Sequence, residues 1–264
     1  MTSTALSLAL ALSLAAPPLA AQQMAAPEQP SAAWESLRPM LFPERAVAAA
    51  GEMIAIDAPY RAHDAAATPV EVAITPPLGR VVRHVTLLID ENPAPVAAEI
   101  EVGPGMGREI RLATRVRVDA YSNVRVVAEL DDGSLRQAAR FVKASGGCSA
   151  PASADPNAEI ADLGRMKLRR FEDPSPEAQL LIRHPNHSGF QVDQVSLLHI
   201  PPWFVDQVTV RQGDQLVFRL QGGISLSENP ALRFGYVPNG EPLAVRAEDT
   251  EGGVFEAAFA AAGG

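Results

Sequence analysis

The chain has 264 residues, a formal net charge of −9 and a hydrophobic fraction of 47%. The negative charge argues against nucleic acid and against anionic membrane surfaces as partners, because both repel an acidic protein. The apolar content is sufficient for packed cores, and the length suits one large domain or two of ordinary size.

Residues 1–21 form an apolar segment without charged side chains that ends in small residues. Its length is typical of the hydrophobic region of a secretory signal, with cleavage expected after Ala20 or Ala21. It is too short for a membrane span, which needs about 20 consecutive apolar residues. We therefore expect a signal peptide over residues 1–21, export of the chain and no insertion into the membrane.

Residues 32–144 are predicted to form a β-sandwich preceded by a short helix. The helix over 32–41 carries Trp34, Leu37 and Leu41 on one face, which we expect to close one end of the sandwich. Apolar residues then alternate with polar ones in short runs separated by turns, as in an antiparallel immunoglobulin-like domain. The predicted strands cover residues 71–74, 82–90, 98–102, 109–118, 123–130 and 135–143.

A second alternating block predicts another β-sandwich over residues 158–264. Asp155 and Pro156 suit the start of a helical turn that leads into this block. The predicted strands cover residues 166–171, 178–184, 194–200, 207–211, 215–221, 232–237, 243–248 and 254–260. The fold class is therefore all-β, with two immunoglobulin-like sandwiches joined by a flexible linker rich in Gly, Ser and Pro.

The linker, residues 145–157, carries the only cysteine of the chain, Cys148. We call this segment the cysteine arm. A lone cysteine cannot form an internal disulfide, and Gly146 and Gly147 beside it permit many backbone conformations. The composition therefore predicts a mobile arm that presents an exposed thiol to a partner. Because the arm holds no His or Arg, we expect a thiol pKa near the ordinary value of about 8.5.

Histidines offer an alternative chemistry. His184 and His187 have H-x-x-H spacing, and together with His199 and Cys148 they could ligate zinc or copper. The pair lies on a turn that contains Pro and Asn, where His is also an ordinary polar residue. The sequence has no H-E-x-x-H, C-x-x-C or G-x-S-x-G pattern, so we predict neither a resident metal nor another cofactor. Metal handling stays open as an alternative.

Several of these stretches resemble a known family. Residues 114–118 (TRVRV), 121–125 (YSNVR) and 140–148 (RFVKASGGC) look like SoxY, the sulfur-carrier subunit of the bacterial periplasmic thiosulfate-oxidation system. Residues 184–189 (HPNHSG), 207–210 (QVTV) and 227–230 (SENP) are similar to SoxZ, its partner. Both modules in one exported chain resemble the fused SoxYZ-like carriers associated with quinoprotein dehydrogenases.

The resemblance implies a carrier without turnover of its own. Cys148 would attach the substrate covalently, Gly146 and Gly147 would form the mobile arm, and the second sandwich would take the place of SoxZ. The implied partners are periplasmic oxidising enzymes, namely a c-type cytochrome and a sulfate-releasing hydrolase, or a quinoprotein dehydrogenase system. SoxY ends shortly after its cysteine, whereas here a whole domain follows, so the arm must enter a partner as a loop.

A different class of function also stays open. The chain could be a structural or chaperone-like adaptor of an exported quinoprotein dehydrogenase that binds through a face or edge of a sandwich. Such an adaptor would not need Cys148, so replacement of this residue separates the two interpretations.

Overall fold

The computed structural model describes residues 26–151, 161–194 and 196–261. These residues form one α-helix and sixteen β-strands, which confirms the predicted all-β fold class. The helix, α1, spans Ala32–Leu41. The strands are β1 (Ala26–Pro27), β2 (Val47–Ala49), β3 (Ile54–Asp57), β4 (Thr68–Ile74), β5 (Val82–Ile89), β6 (Val96–Val102), β7 (Ile110–Val116), β8 (Ser122–Leu130), β9 (Leu135–Val142), β10 (Met166–Phe171), β11 (Glu177–Ile182), β12 (Val205–Gln212), β13 (Gln215–Gly222), β14 (Ala231–Gly235), β15 (Leu243–Asp249) and β16 (Val254–Phe259).

Alternation of apolar and polar side chains accounts for most of these strands. In β4 every second residue is buried, from Thr68 through Val70 and Val72 to Ile74, and the residues between them are exposed. Branched side chains suit this half-buried, pleated surface. The prediction from periodicity therefore holds wherever one face of a strand packs on the core and the other meets solvent.

Helix α1 lies on the outer face of the larger sheet. The Ser31 hydroxyl accepts the Trp34 backbone N–H at 3.0 Å and begins the helix. Trp34 then packs against Leu88, Val127 and Leu135 of β5, β8 and β9. The expectation that α1 closes an end of the sandwich is therefore wrong. The helix instead covers side chains that point away from the main core, which is why β8 is buried on both faces.

Two facing sheets continue through both predicted sandwiches. The larger sheet has the order β1-β9-β8-β5-β6-β13-β12-β15-β16, with β2 beside β9, and the smaller has the order β10-β11-β14-β7-β4-β3. The modules meet where β6 pairs with β13 and β7 pairs with β14, both antiparallel. One apolar core therefore runs through both modules.

Some predictions fail or lie outside the described residues. The strand predicted over 194–200 is wrong: Asp193 Oδ1 accepts the Ser196 N–H at 2.6 Å, and Leu197 has a φ of +59°. A side-chain turn and a left-handed residue break an extended strand. The signal peptide over 1–21 and the turn at Asp155–Pro156 lie outside the described residues. Within them, no helix has the length and apolar character to cross a membrane.

Candidate functional site

The cysteine arm, as far as residue 151, is docked against the end of β7. The Gly146 N–H donates to the Asp119 carbonyl at 2.8 Å, and the Gly147 N–H donates to the Val118 carbonyl at 3.2 Å. The Cys148 N–H donates to Asp119 Oδ1 at 3.0 Å. Cys148 is only 1% exposed. The prediction of an exposed thiol is therefore wrong, because these hydrogen bonds hold the arm against the first module.

The two glycines serve this docked conformation. Gly146 has a φ of +74°, a left-handed conformation that glycine adopts without strain. A Cβ atom on Gly147 would lie 2.2 Å from the Ala65 carbonyl oxygen and 2.7 Å from Val118 backbone atoms. Residue 147 must therefore be glycine for the arm to approach this closely. The composition predicted a mobile arm, but in this structure the arm packs closely against the first module.

The second module holds the arm from the other side. The Ser188 hydroxyl donates to the Cys148 carbonyl, and Gln191 Nε2 donates to the Ala150 carbonyl at 3.0 Å. Gln191 Oε1 in turn accepts the Ser188 N–H at 3.2 Å. We call residues 184–191 the clamp loop. The arm is thus enclosed between the first module and this loop of the second.

A buried polar network fixes the clamp loop. His184 Nδ1 accepts the Asn186 N–H at 3.0 Å, so the proton lies on Nε2, which donates to Asp249 Oδ2 at 3.3 Å. Trp203 Nε1 donates to the same carboxylate oxygen at 3.0 Å. Burial lowers the pKa of His184, although Asp249 opposes the shift. His184 is therefore a neutral positioning residue for the clamp loop.

The histidines do not come together as a metal site. His187 Nδ1 lies 3.2 Å from Gln191 Oε1, and His199 forms an isolated bridge with Val192. Among the described residues, no group of three His, Cys, Asp or Glu side chains could hold a metal ion. His184 and His187 instead take part in the hydrogen bonds that fix the clamp loop.

Burial makes the docked thiol unreactive. It raises the pKa of the Cys148 thiol to about 12, and the Asp119 carboxylate adds to the rise while Arg117 opposes it. The prediction of a pKa near 8.5 for the Cys148 thiol is therefore wrong for the docked arm. At neutral pH the docked sulfur is protonated, and a thiol is a much weaker nucleophile than a thiolate.

Arg117 is a buried cation close to the arm. It is 2% exposed, and its Nη1 donates to the Leu226 carbonyl of the second module. Its Nε has no hydrogen-bond partner within the described part of the chain. Burial lowers the pKa of Arg117, and the charges of Cys148, Glu228 and Asp64 oppose that shift.

Sequence reasoning found Cys148 but missed the residues that enclose it. Arg117 stands in an alternating run in which a charged residue is expected to face solvent. Asp119 follows that run in a turn. For Ser188 the only signal was its place in the HPNHSG stretch of the resemblance, and for Gln191 there was none.

Comparisons with known proteins agree with this division of the chain. The family model of the sulfur oxidation protein SoxY matches residues 38–148 and ends on the buried cysteine. The family model of the sulphur oxidation protein SoxZ matches residues 169–260, which include the clamp loop.

Solved structures similar to the chain include the sulfur carrier protein SoxY from Chlorobium limicola f thiosulfatophilum. It is 28% identical over 41% of this chain and 93% of that one, with a TM-score of 0.34. No curated protein matches the chain. The two family matches account for both modules in their order along the sequence, and the chain therefore belongs to the fused SoxY–SoxZ carriers of sulfur oxidation.

Proposed function

We propose that this chain is a periplasmic carrier that holds a sulfur-containing intermediate on Cys148 and presents it to partner oxidising enzymes. The observation that carries the proposal is the position of Cys148. It is the last residue of the SoxY match, on an arm whose other side is held by the SoxZ module. SoxY and SoxZ are carrier proteins rather than enzymes, so turnover belongs to the partners.

The docked state protects the sulfur. A protonated thiol that is 1% exposed cannot attack a substrate or be reached by an enzyme. The arm must therefore leave the clamp loop to be loaded, and this requires the bonds to Ser188, Gln191 and Asp119 to break. Hydrogen bonds of this kind contribute about 1 kcal/mol each, so the docked and released states can interconvert.

Loading and unloading divide the chemistry between the carrier and its partners. In a thiosulfate-type pathway, the thiol and thiosulfate form a new S–S bond, one proton leaves, and two electrons pass to an oxidant of the c-type cytochrome class. A hydrolase then adds water to the terminal S–S bond, releases hydrogen sulfate and leaves a persulfide on Cys148. A quinoprotein dehydrogenase system is the alternative source of partners.

The N-terminal sequence supports the proposed periplasmic location for this chemistry. The apolar segment over 1–21 has the features of a secretory signal. A mature chain that begins at residue 21 or 22 in the periplasmic fraction would agree with this location. Intact protein in the cytoplasm would contradict it.

Intact mass spectrometry tests the carrier directly. The protein is isolated from its native periplasm without reductant, under conditions of active sulfur oxidation, and measured before and after reduction. We expect a mass excess that reduction removes and that Cys148→Ser abolishes, together with loss of pathway activity in that variant. Full activity of a folded Cys148→Ser protein would contradict the proposal and favour an adaptor.

A further inference from the structure

Arg117 is a buried cation beside the cysteine arm. Among the described residues it takes part in none of the ion pairs, and its Nε has no partner although the side chain is 2% exposed. The charges of Asp64 and Glu228 favour the protonated guanidinium, but neither residue forms an ion pair with it in the described part of the chain. A buried cation without close compensation is costly, so its presence beside the arm needs a reason.

Two observations place the guanidinium beneath the docked arm. The residue that follows Arg117 accepts the Gly147 N–H, and Arg117 Nη1 donates to Leu226 of the second module. The positive charge also opposes the rise in the pKa of Cys148 and contributes to the lowered pKa of His187. The guanidinium therefore lies between the arm and the clamp loop.

The chemistry of this position favours an oxyanion. A guanidinium is a planar fork of donors that matches the oxygens of a sulfonate or sulfate group, and such charge-assisted bonds are strong where water is excluded. An uncharged adduct would form no charge-assisted bond with the guanidinium. The neighbouring Asp119, Asp64 and Glu228 would repel an anion, which leaves Arg117 as the attractive group.

We propose that Arg117 recognises the negatively charged end of a sulfonate-bearing adduct on Cys148, so that the docked arm retains anionic cargo in preference to neutral cargo. This inference rests on the proposed function and specifies the class of cargo. Arg117 acts as a binding residue for the adduct, with the unpartnered Nε as its donor.

Two probes whose adducts differ in charge test the preference on the full chain. Tetrathionate reacts with the Cys148 thiolate to give Cys–S–S–SO₃⁻ and releases thiosulfate. Methyl methanethiosulfonate gives the neutral Cys–S–S–CH₃ and releases methanesulfinate. The rate at which a neutral thiol removes each adduct is followed by intact mass and divided by the rate for the same adduct on a short cysteine peptide.

In the wild-type protein, we expect the sulfonate adduct to be removed roughly tenfold more slowly than the methyl adduct, since one charge-assisted hydrogen bond is worth at least that factor. Arg117→Gln should abolish the difference, and Arg117→Lys, which keeps the charge but not the fork, should retain part of it. Equal protection of both adducts in wild-type protein would overturn the inference, as would a preference that survives in Arg117→Gln.

A second measurement keeps the test valid if the variants do not fold. The Tm of the wild-type protein should be higher with the sulfonate adduct than with the methyl adduct, and 0.5 M salt should not remove the difference. An equal or lower Tm would contradict the inference. Both experiments load the thiol chemically, so they can fail while Cys148 still proves essential in the pathway, which separates this inference from the proposed function.

Discussion

The Ser188 hydroxyl of the second module donates a hydrogen bond to the backbone carbonyl of Cys148, the residue at which the SoxY match ends. One module therefore holds the backbone beside the other module's thiol, through a contact that does not involve the sulfur. A substitution at Ser188 can remove this contact and leave the sulfur unchanged.

Removal of that contact should speed the exposure of the thiol. In Ser188→Ala the released arm gains about 0.5–1.5 kcal/mol relative to the docked arm, since the hydrogen bond from Ser188 to the arm is lost. We expect alkylation of Cys148 by iodoacetamide at pH 8 to rise about two- to tenfold. Ser36→Ala, on the exposed face of α1, serves as the control and should not change the rate. An unchanged rate in Ser188→Ala would show that the clamp loop does not hold the arm.

A side chain at position 147 should prevent docking altogether. In Gly147→Ala the new Cβ meets the Ala65 carbonyl and the Val118 backbone at distances that real Cβ atoms do not adopt. Cys148 should become exposed with an ordinary thiol pKa, and its alkylation at pH 7.5 should rise about 100-fold or more.

The matched control for this change is Gly235→Ala, since a Cβ there meets its nearest neighbour, Arg111 Cβ, at an ordinary 3.5 Å. The free energy of unfolding of both variants is measured alongside. A buried, slowly reacting thiol in Gly147→Ala would refute the close approach of the arm to Val118.

The raised pKa of Cys148 predicts how docking depends on pH. A group whose pKa is higher in the docked state stabilises that state fully below its ordinary pKa, and this stabilisation disappears as pH rises through the docked value. Docking should therefore be independent of this thiol below about pH 8.5 and weaken by up to about 1.4 kcal/mol per pH unit between there and about 12. Hydrogen exchange of the Cys148 and Gly147 amides measures it, with Cys148→Ser as the control that should lack this dependence.

The Asp249 network should stabilise the clamp loop in a pH-dependent way. Burial raises the pKa of Asp249, but hydrogen bonds from Gly253, Trp203, Glu251 and His184 outweigh it, and the pKa is lowered overall. A lowered carboxyl pKa contributes stability above its ordinary value of about 4, and this is lost as pH falls through the folded-state value. Asp249→Asn should lower the free energy of unfolding by about 2 kcal/mol at pH 7.

Denaturant titrations at pH 7 and pH 3 check this expectation. The gap between wild type and Asp249→Asn should narrow at pH 3, where the carboxylate is partly protonated. Asp214→Asn, at an exposed carboxylate between β12 and β13, is the control. A gap that widens on acidification would contradict the assigned direction of the pKa shift.

Periodicity predicted most strands because every second residue is buried and apolar in a strand that has one face on the core. It could not predict that the cysteine arm is docked, since Gly146 and Gly147 are equally compatible with mobility and with close backbone approach. The contact that decides between them comes from Ser188, 40 residues further along the chain. Arg117 was missed for a related reason. Its place in an alternating run predicts exposure to solvent, and the side chain is buried because the second module covers it.

The pairing of β6 with β13 and of β7 with β14 means that each half of the chain completes the hydrogen-bonding edges of the other. Either half expressed alone would present two strands with unpaired N–H and C=O groups, which readily add a strand from another molecule. Isolated halves should therefore aggregate or capture each other from a mixture, and a cut in the segment between residues 151 and 161 should leave a single particle that migrates as the intact protein until it is denatured.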